Sequence, residues 1–396
     1  MQLGRLKTGA KKTMHPELFT IPGLNITVPS YGAVVMLGFL LGTWLMARRC
    51  VKLKVDPDIA VNLGFVILIF GTLGARTFYV IHYWDTQFAH QPGQVFNLRA
   101  GGMEIYGGLI GGFLACYLYI YLKGYSRRLI ADLVAPSLLL AMGIGRIGCL
   151  LYGCCWGAPA PEGLPWAVQF PFGSPPMVRQ WEHRLVTVPD RLLFIAPDGT
   201  AGPMPRPLLK MSIETLQEKM TQMADKLEEA KASDDTKKTE RLQKLQEQLK
   251  TAIKPIMGHY DQFDTTPAKL KTLAQAPEYH STLLHPAQLY AAIGPILLSL
   301  ITGAYLYRRK RHGMVMVLGF ALYAVQRFIE EIIRIDNPHD AFGLTASQAV
   351  SIGILLICGI SYLALQKMPL RSPRIMASMP KKPDETKPEP AAEPAT

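Results

Sequence analysis

The chain has 396 residues, 49% of them hydrophobic and only 18% charged, and its mean hydropathy is positive. That balance excludes an ordinary water-soluble globule and points to a membrane protein. The net charge of +12 would suit nucleic acid, but the basic residues gather at the ends of apolar runs, where anionic lipid headgroups are their natural partners, so no nucleic-acid role follows.

Residues 1–13, within "MQLGRLKTGAKKTM", form a basic N-terminal extension with no apolar segment close behind it, and Met14 is read as an alternative start. Residues 14–155 form a first membrane half of four apolar runs at 32–47, 60–83, 104–122 and 129–152, and residues 285–366 a second half of three, at 286–307, 314–334 and 346–366. Each approaches the roughly 20 residues that a helix needs to cross a bilayer. Basic clusters follow the first run (Arg48, Arg49, Lys52, Lys54), the third (Lys123, Arg127, Arg128), the fifth (Arg308 to Arg311) and the seventh (Lys367, Arg371, Arg374, Lys381, Lys382). With seven spans all four clusters fall on one side, which the positive-inside rule makes the cytoplasm. The expected fold is therefore an all-α integral membrane protein, a bundle of seven transmembrane helices with its N-terminus outside and its C-terminus cytoplasmic.

Between the halves, residues 156–284 are too long for a connection and predict an extracytoplasmic insertion. Apolar residues recur at helical spacing through Met211, Ile213, Leu216, Met220, Met223 and Leu227, stop at "SDDT", and resume at Leu242, Leu245, Leu249 and Ile253. This predicts a helical hairpin over about 207–255, serving either as a solvated spacer or as a docking face for an unknown extracytoplasmic partner. Residues 367–396, rich in Pro, Glu and Lys, predict a disordered cytoplasmic tail.

An ionisable side chain at membrane depth costs roughly 3 kcal/mol or more, so each needs a partner or a task. Candidates are Arg76 in "GARTFYV", Glu104 and Tyr106 in "GGMEIYGGLIGG", Arg146 in "GIGRIGCLLYGCCWG", His285, Gln288 and Tyr290 in "HPAQLYAAIG", and Arg327, Glu330, Glu331 and Arg334 in "RFIEEIIRIDNP". Arg327, Glu331 and Arg334 stand at i, i+4 and i+7, so a helix would place them on one face as a paired strip with one positive charge left over. With Arg76 and Arg146 added, the pattern suits a phosphate, which guanidinium grips in bidentate fashion. The plainer readings are that Arg76 and Arg334 snorkel to headgroups and that the glycine repeats serve helix packing. Cys149, Cys154 and Cys155 lack the spacing of a structural zinc site, and two adjacent cysteines on a helix point in different directions. They read as small buried hydrophobes, so neither a metal nor a catalytic thiol is expected.

Taken together, "PSYGAVVMLGFLLG", "GARTFYV", "GGMEIYGGLIGG", "GIGRIGCLLYGCCWG" followed by "LPWAVQFP", "HPAQLYAAIG", "RFIEEIIRIDNP" and "GLTASQAVSIGI" occur in an order that resembles the prolipoprotein diacylglyceryl transferase family. The charged region at about 205–255 has no counterpart in that family's usual shape. The resemblance implies an enzyme of the bacterial inner membrane, crossing it several times and needing no cofactor. It would move the diacylglyceryl group of phosphatidylglycerol to the lipobox cysteine of a prolipoprotein signal peptide, forming a thioether and releasing glycerol 1-phosphate. It also implies catalytic roles for Arg146, Arg327, Glu331 and Tyr106. Lipid binding would fall to Arg146, Tyr31, Arg76, Arg327, Arg334, Gly107, Gly108, Gly157 and Gln288. The chain departs from the family where Cys149 and Tyr152 replace asparagines, Cys154 replaces a glutamate and Tyr106 replaces a histidine. Those departures leave open a paralogue that binds or transports anionic phospholipid without the chemistry, and the Met-containing stripes of the hairpin leave open an assembly factor acting through it.

Overall fold

A computed structural model describes residues 14–21, 26–89, 92–97, 101–161, 163–195, 199–210, 213–232, 236–334 and 343–372. The expected tail beyond Ser372 and the extension before Met14 lie outside the described residues, as does the "SDD" of the expected turn. The described chain divides into two compact units, one built from residues 14–31, 148–289 and 332–334, the other from 32–147, 290–331 and 343–372.

The second unit is helical throughout its long elements. Helices α1 (Ser30–Lys52), α2 (Asp58–His82), α3 (Ile105–Leu122), α4 (Arg127–Tyr152), α10 (Ala287–Leu306), α11 (Met314–Ile333) and α12 (Ala346–Lys367) stand on the apolar runs. Six of them, all but α11, are long and apolar enough to cross a membrane, as befits a multi-pass membrane protein. Three charged residues, Arg327, Glu330 and Glu331, set α11 apart. Large apolar side chains such as Phe65, Leu109, Phe113, Leu300 and Ile360 face outward. That surface is stable in lipid, where hydrocarbon is the solvent and helices satisfy their own backbone.

Close helix approach in this unit rests on residues without side chains. A Cβ on Gly74 of α2 would lie 2.3 Å from the Gly107 carbonyl of α3, and one on Gly107 would meet Gly74 O at the same distance. On α4, Gly143 lies against Ala292 and Ile296 of α10, and Ala141 and Ser137 carry the backbone oxygens against which Gly38 and Gly42 of α1 pack. Arg49 donates to Ser137 Oγ at 2.9 Å, and Ser299 donates to the Pro136 carbonyl. Fully buried Asp132 of α4 accepts from the backbone N–H groups of Gly313 (2.8 Å), Val315 (2.9 Å) and Met316 (3.2 Å) and pairs with Arg309 at 2.7 Å. A carboxylate thereby caps the N-terminus of α11, where four backbone donors lack intrahelical partners and the helix dipole favours negative charge. Thr345 and Gln348 start α12 with a reciprocal capping box.

Beyond α12, the chain is tied back. Arg311 donates to the Met368 carbonyl at 2.7 Å, Arg128 to that of Pro369 at 2.9 Å, and the Ser372 N–H donates to His312 Nδ1 at 3.2 Å. Burial and the nearby guanidinium groups of Arg309, Arg128 and Arg371 lower the His312 pKa to about 4.

The first unit opens with an antiparallel pair that hydropathy did not predict, β1 (Glu17–Ile21) and β2 (Ile26–Pro29). Its core is made by α5 (Pro175–Glu182), the pair β3 (Leu193–Ile195) and β4 (Ala201–Pro203), α6 (Arg206–Lys210), the end of α8 (Thr236–Gln262) and α9 (Pro267–Leu273). Phe172, Met177, Leu192, Met204, Leu209, Ile253, Ile256, Tyr260 and Leu270 are buried together there. Helix α7 (Ile213–Ala232) packs along α8 and adds Met220 to that core. The expected end near residue 255 is corrected: α8 continues past Pro255 to Gln262 because Ile256 and Tyr260 are held in the core, and tertiary burial outweighs the bond lost at proline.

Candidate functional site

In the second unit, Arg327 and Glu331 meet as their spacing on α11 requires. Arg327 Nη2 is 2.7 Å from Glu331 Oε2, with Glu331 fully buried, and it also donates to Ser347 Oγ at 2.9 Å, in the first turn of α12. Glu330 Oε2 stands 3.9 Å from Nη1, while Glu330 Oε1 takes a hydrogen bond from Gln326 Nε2. Two carboxylates thus flank one guanidinium, at 2.7 and 3.9 Å. Helix α11 ends at Ile333, and Arg334, half-buried, is the residue that follows it. Arg146 lies half-buried on α4, two turns before its end, and Gly143, one turn earlier, seats that stretch against α10.

Arg76 is buried on α2. Its Nε donates to the Val95 carbonyl (2.9 Å), Nη1 to those of Gly101 (2.7 Å) and Gly102 (2.9 Å), and Nη2 to those of Gln94 (2.7 Å) and Asn97 (3.2 Å). All five of its donors are thus turned to the backbone between α2 and α3. The rings of Tyr79 and Phe88 flank it at 5.6 and 5.3 Å. Tyr106, in the first turn of α3, is 67% exposed. Gly107 and Gly108, next to it, lie in the α2–α3 contact, against Gly74 and Gly71. Glu104, just before α3, meets His82 at 3.1 Å, a pairing that spacing did not reveal.

In the first unit, Tyr31 sets its ring edge against Tyr152, with centroids 6.5 Å apart, and packs on Gly148, where a Cβ would lie 3.2 Å from the Tyr31 ring. The glycine after Arg146 and Ile147 therefore makes room for this tyrosine. Gly157 donates to the His285 carbonyl at 3.1 Å, and a Cβ there would fall 2.8 Å from that oxygen. Gln288 is fully buried and donates to the Cys154 carbonyl at 2.8 Å.

The cysteines stand otherwise than expected. Helix α4 ends at Tyr152, Gly153 takes φ +86° and Cys155 φ +57°, and the chain doubles back. The Sγ atoms of Cys149, Cys154 and Cys155 all come within 4.8 Å of one another. Hydrogen bonds with its two neighbours, ahead of burial, push the Cys154 thiol up from its ordinary pKa. Sequence spacing missed this cluster because it assumed that the helix continued.

Comparison with known proteins bears on the whole chain. The family described as prolipoprotein diacylglyceryl transferase matches residues 16–365. A phosphatidylglycerol–prolipoprotein diacylglyceryl transferase of Clostridium tetani (strain Massachusetts / E88) is 38% identical over 157 residues, which are 40% of this chain and 61% of the relative. Enzymes of the same name from Staphylococcus aureus strains bovine RF122 / ET3-1 and MRSA252 are 37% identical over 139 residues, 35% of this chain and 50% and 49% of theirs. In these matches the chain spans half to three fifths of the relatives' length. With the family match running through nearly all the membrane helices and the intervening insertion, the chain belongs to the prolipoprotein diacylglyceryl transferase family.

Proposed function

We propose that this protein transfers the diacylglyceryl group of phosphatidylglycerol to the lipobox cysteine thiol of prolipoproteins, in the bacterial inner membrane. The observation that carries this reading is the family match over residues 16–365, joined by relatives that bear the name of that activity. In the reaction, the substrate thiolate attacks the glyceryl carbon next to the phosphate, a C–S bond forms, the C–O bond breaks, and glycerol 1-phosphate leaves with the electron pair.

The residues divide this work. Arg146 is the phosphate-gripping arginine, as the family signature has it, offsetting the charge that builds on the departing oxygen. Arg327 and Glu331 clamp α11 to the start of α12, since their ion pair and the Ser347 bond engage the guanidinium. Arg76 supports lipid binding by holding the backbone of Gln94, Val95, Asn97, Gly101 and Gly102 in place, and Gly107 and Gly108 do so by letting α3 approach α2. Tyr31, Gly157, Gln288 and Arg334 are the lipid contacts proposed for the first unit. The thiol is activated by the positive field of arginine more than by a side-chain base.

We further propose that α11 is a seventh span, that the N-terminus lies outside, and that the insertion of residues 156–284 is extracytoplasmic and presents α7 and α8 to an extracytoplasmic partner.

The test is purified protein in phosphatidylglycerol-containing detergent with a lipobox peptide, wild type beside Arg146→Ala. Thioether product and glycerol 1-phosphate from the wild type, with a loss of about 100-fold or more in the variant, is the expected result, on the scale of removing one donor to transition-state charge. Absence of product from a folded wild type that still binds phosphatidylglycerol would reassign the protein as a lipid-binding paralogue.

A further inference from the structure

The turn that closes α4 carries a group of side chains for which the proposed transfer reaction has no task. We propose that Cys149, Cys154 and Cys155 form a three-thiolate site for a soft metal ion, with Cu(I) the best match. The three Sγ atoms already lie within 4.8 Å of one another. A metal–sulfur bond of about 2.3 Å places three sulfurs around one ion about 4.0 Å apart in a plane, so closing on the ion moves them by less than about 1 Å.

The turn is held in that shape before any ion arrives. The N–H groups of Gly153 and Cys154 both donate to the Cys149 carbonyl, at 2.8 and 3.1 Å. Buried Gln288 fixes the Cys154 carbonyl, and the His15 N–H donates to the Leu151 carbonyl at 3.0 Å. Met14 covers Gly153 so closely that a Cβ there would meet its sulfur at 2.9 Å. Ligands that are ordered in advance lose less entropy on binding.

Ligand chemistry selects the ion. Thiolates favour Cu(I) and Zn(II) over harder cations. A structural zinc site takes four ligands, and among the described residues no histidine or carboxylate joins this group, whereas Cu(I) is stable with three sulfurs. Binding exchanges three S–H bonds for three metal–sulfur bonds and releases three protons, with no change of oxidation state. Cys149 is buried while Cys154 and Cys155 are half-buried, which leaves a path for the ion on one side.

The experiment uses the full chain in detergent, reduced and metal-free, titrated anaerobically with Cu(I) against a chromogenic Cu(I) chelator. One equivalent per chain should be withdrawn from the chelator. Cys149→Ser, Cys154→Ser and Cys155→Ser should each weaken that competition by more than about 100-fold, beyond the cost of losing an outer-shell partner. Cys116→Ser, on α3 and outside the group, should leave it unchanged. Because a serine variant can misfold, wild-type protein is also alkylated with and without Cu(I). Protection should fall on Cys149, Cys154 and Cys155 and leave Cys50, Cys116 and Cys358 as they were. Uptake well below one equivalent, protection spread evenly over the six cysteines, or recovery of two of the three as a disulfide under non-reducing conditions would overturn the proposal.

Discussion

Arg76 turns all five N–H groups to backbone carbonyls, and its work is therefore mechanical. Lysine keeps the charge but has three donors on a single nitrogen, so Arg76→Lys leaves at least two of the carbonyls unmet. At about 1.5 kcal/mol for each hydrogen bond to a charged group, the variant should lose about 3 kcal/mol. Thermal unfolding in detergent measures this loss, and protease cleavage within residues 92–102 should rise with it. Tyr106 asks a chemical question instead. Its side chain is largely exposed at the start of α3, where no hydrogen bond among the described residues holds its hydroxyl in a site. Tyr106→Phe should accordingly retain most of the turnover, and complete loss with lipid binding intact would make the hydroxyl a catalytic group. Both positions were legible in the sequence as polar residues in apolar runs. Arg76's partners were not, because backbone carbonyls from a loop leave no mark in residue identity.

At the scale of elements, the α2–α3 pair separates two glycines that look alike in sequence. A methyl group on Gly74 would meet the Gly107 carbonyl at 2.3 Å, whereas one on Gly71 finds its nearest neighbour, Gly108 O, at 3.6 Å. Alanine otherwise gains up to about 1 kcal/mol over glycine in a helix. Gly71→Ala should hold or raise the unfolding temperature, while Gly74→Ala should lower stability by about 1–3 kcal/mol through overpacking against backbone that cannot swing aside. Equal effects in the two variants would show that the helices pack differently. Hydropathy located the ends of these helices to within about two residues, since burial in lipid needs only length and composition. It could not find Asp132 as the cap of α11, because a carboxylate near the start of an apolar run reads as a cost until the N-terminus of another helix is placed over it. The cysteine turn escaped for a similar reason. Its shape depends on Gly153 leaving the helix, and the positive φ angles of Gly153 and Cys155 redirect the side chains there.

For the molecule as a whole, the last tie in the described chain is sensitive to proton concentration. His312 Nδ1 accepts the Ser372 N–H, which only the unprotonated nitrogen can do, and Arg309, Arg128 and Arg371 surround it. Its folded pKa of about 4 lies below the ordinary value near 6.5. Between those values the unfolded form binds more protons, so the tie contributes fully above about pH 6.5 and fades as pH falls towards 4. Hydrogen exchange at Ser372, corrected for its intrinsic pH dependence, should accelerate across that window, and His312→Gln should flatten the response. An unchanged rate in the wild type would mean that the arginine bonds to Met368 and Pro369 hold the segment without the histidine.

Helix α4 carries Arg128 in its first turn and Arg146 near its end. Eighteen residues at 1.5 Å each separate them by about 27 Å along the axis, close to the roughly 30 Å of a hydrocarbon layer. The helix works as a depth gauge. With Arg128 at one boundary, the phosphate that Arg146 is proposed to grip would belong to a lipid of the opposite leaflet. Adding or removing one residue between them would turn Arg146 a quarter of the way round the helix, away from that lipid, while leaving the apolar run long enough to span.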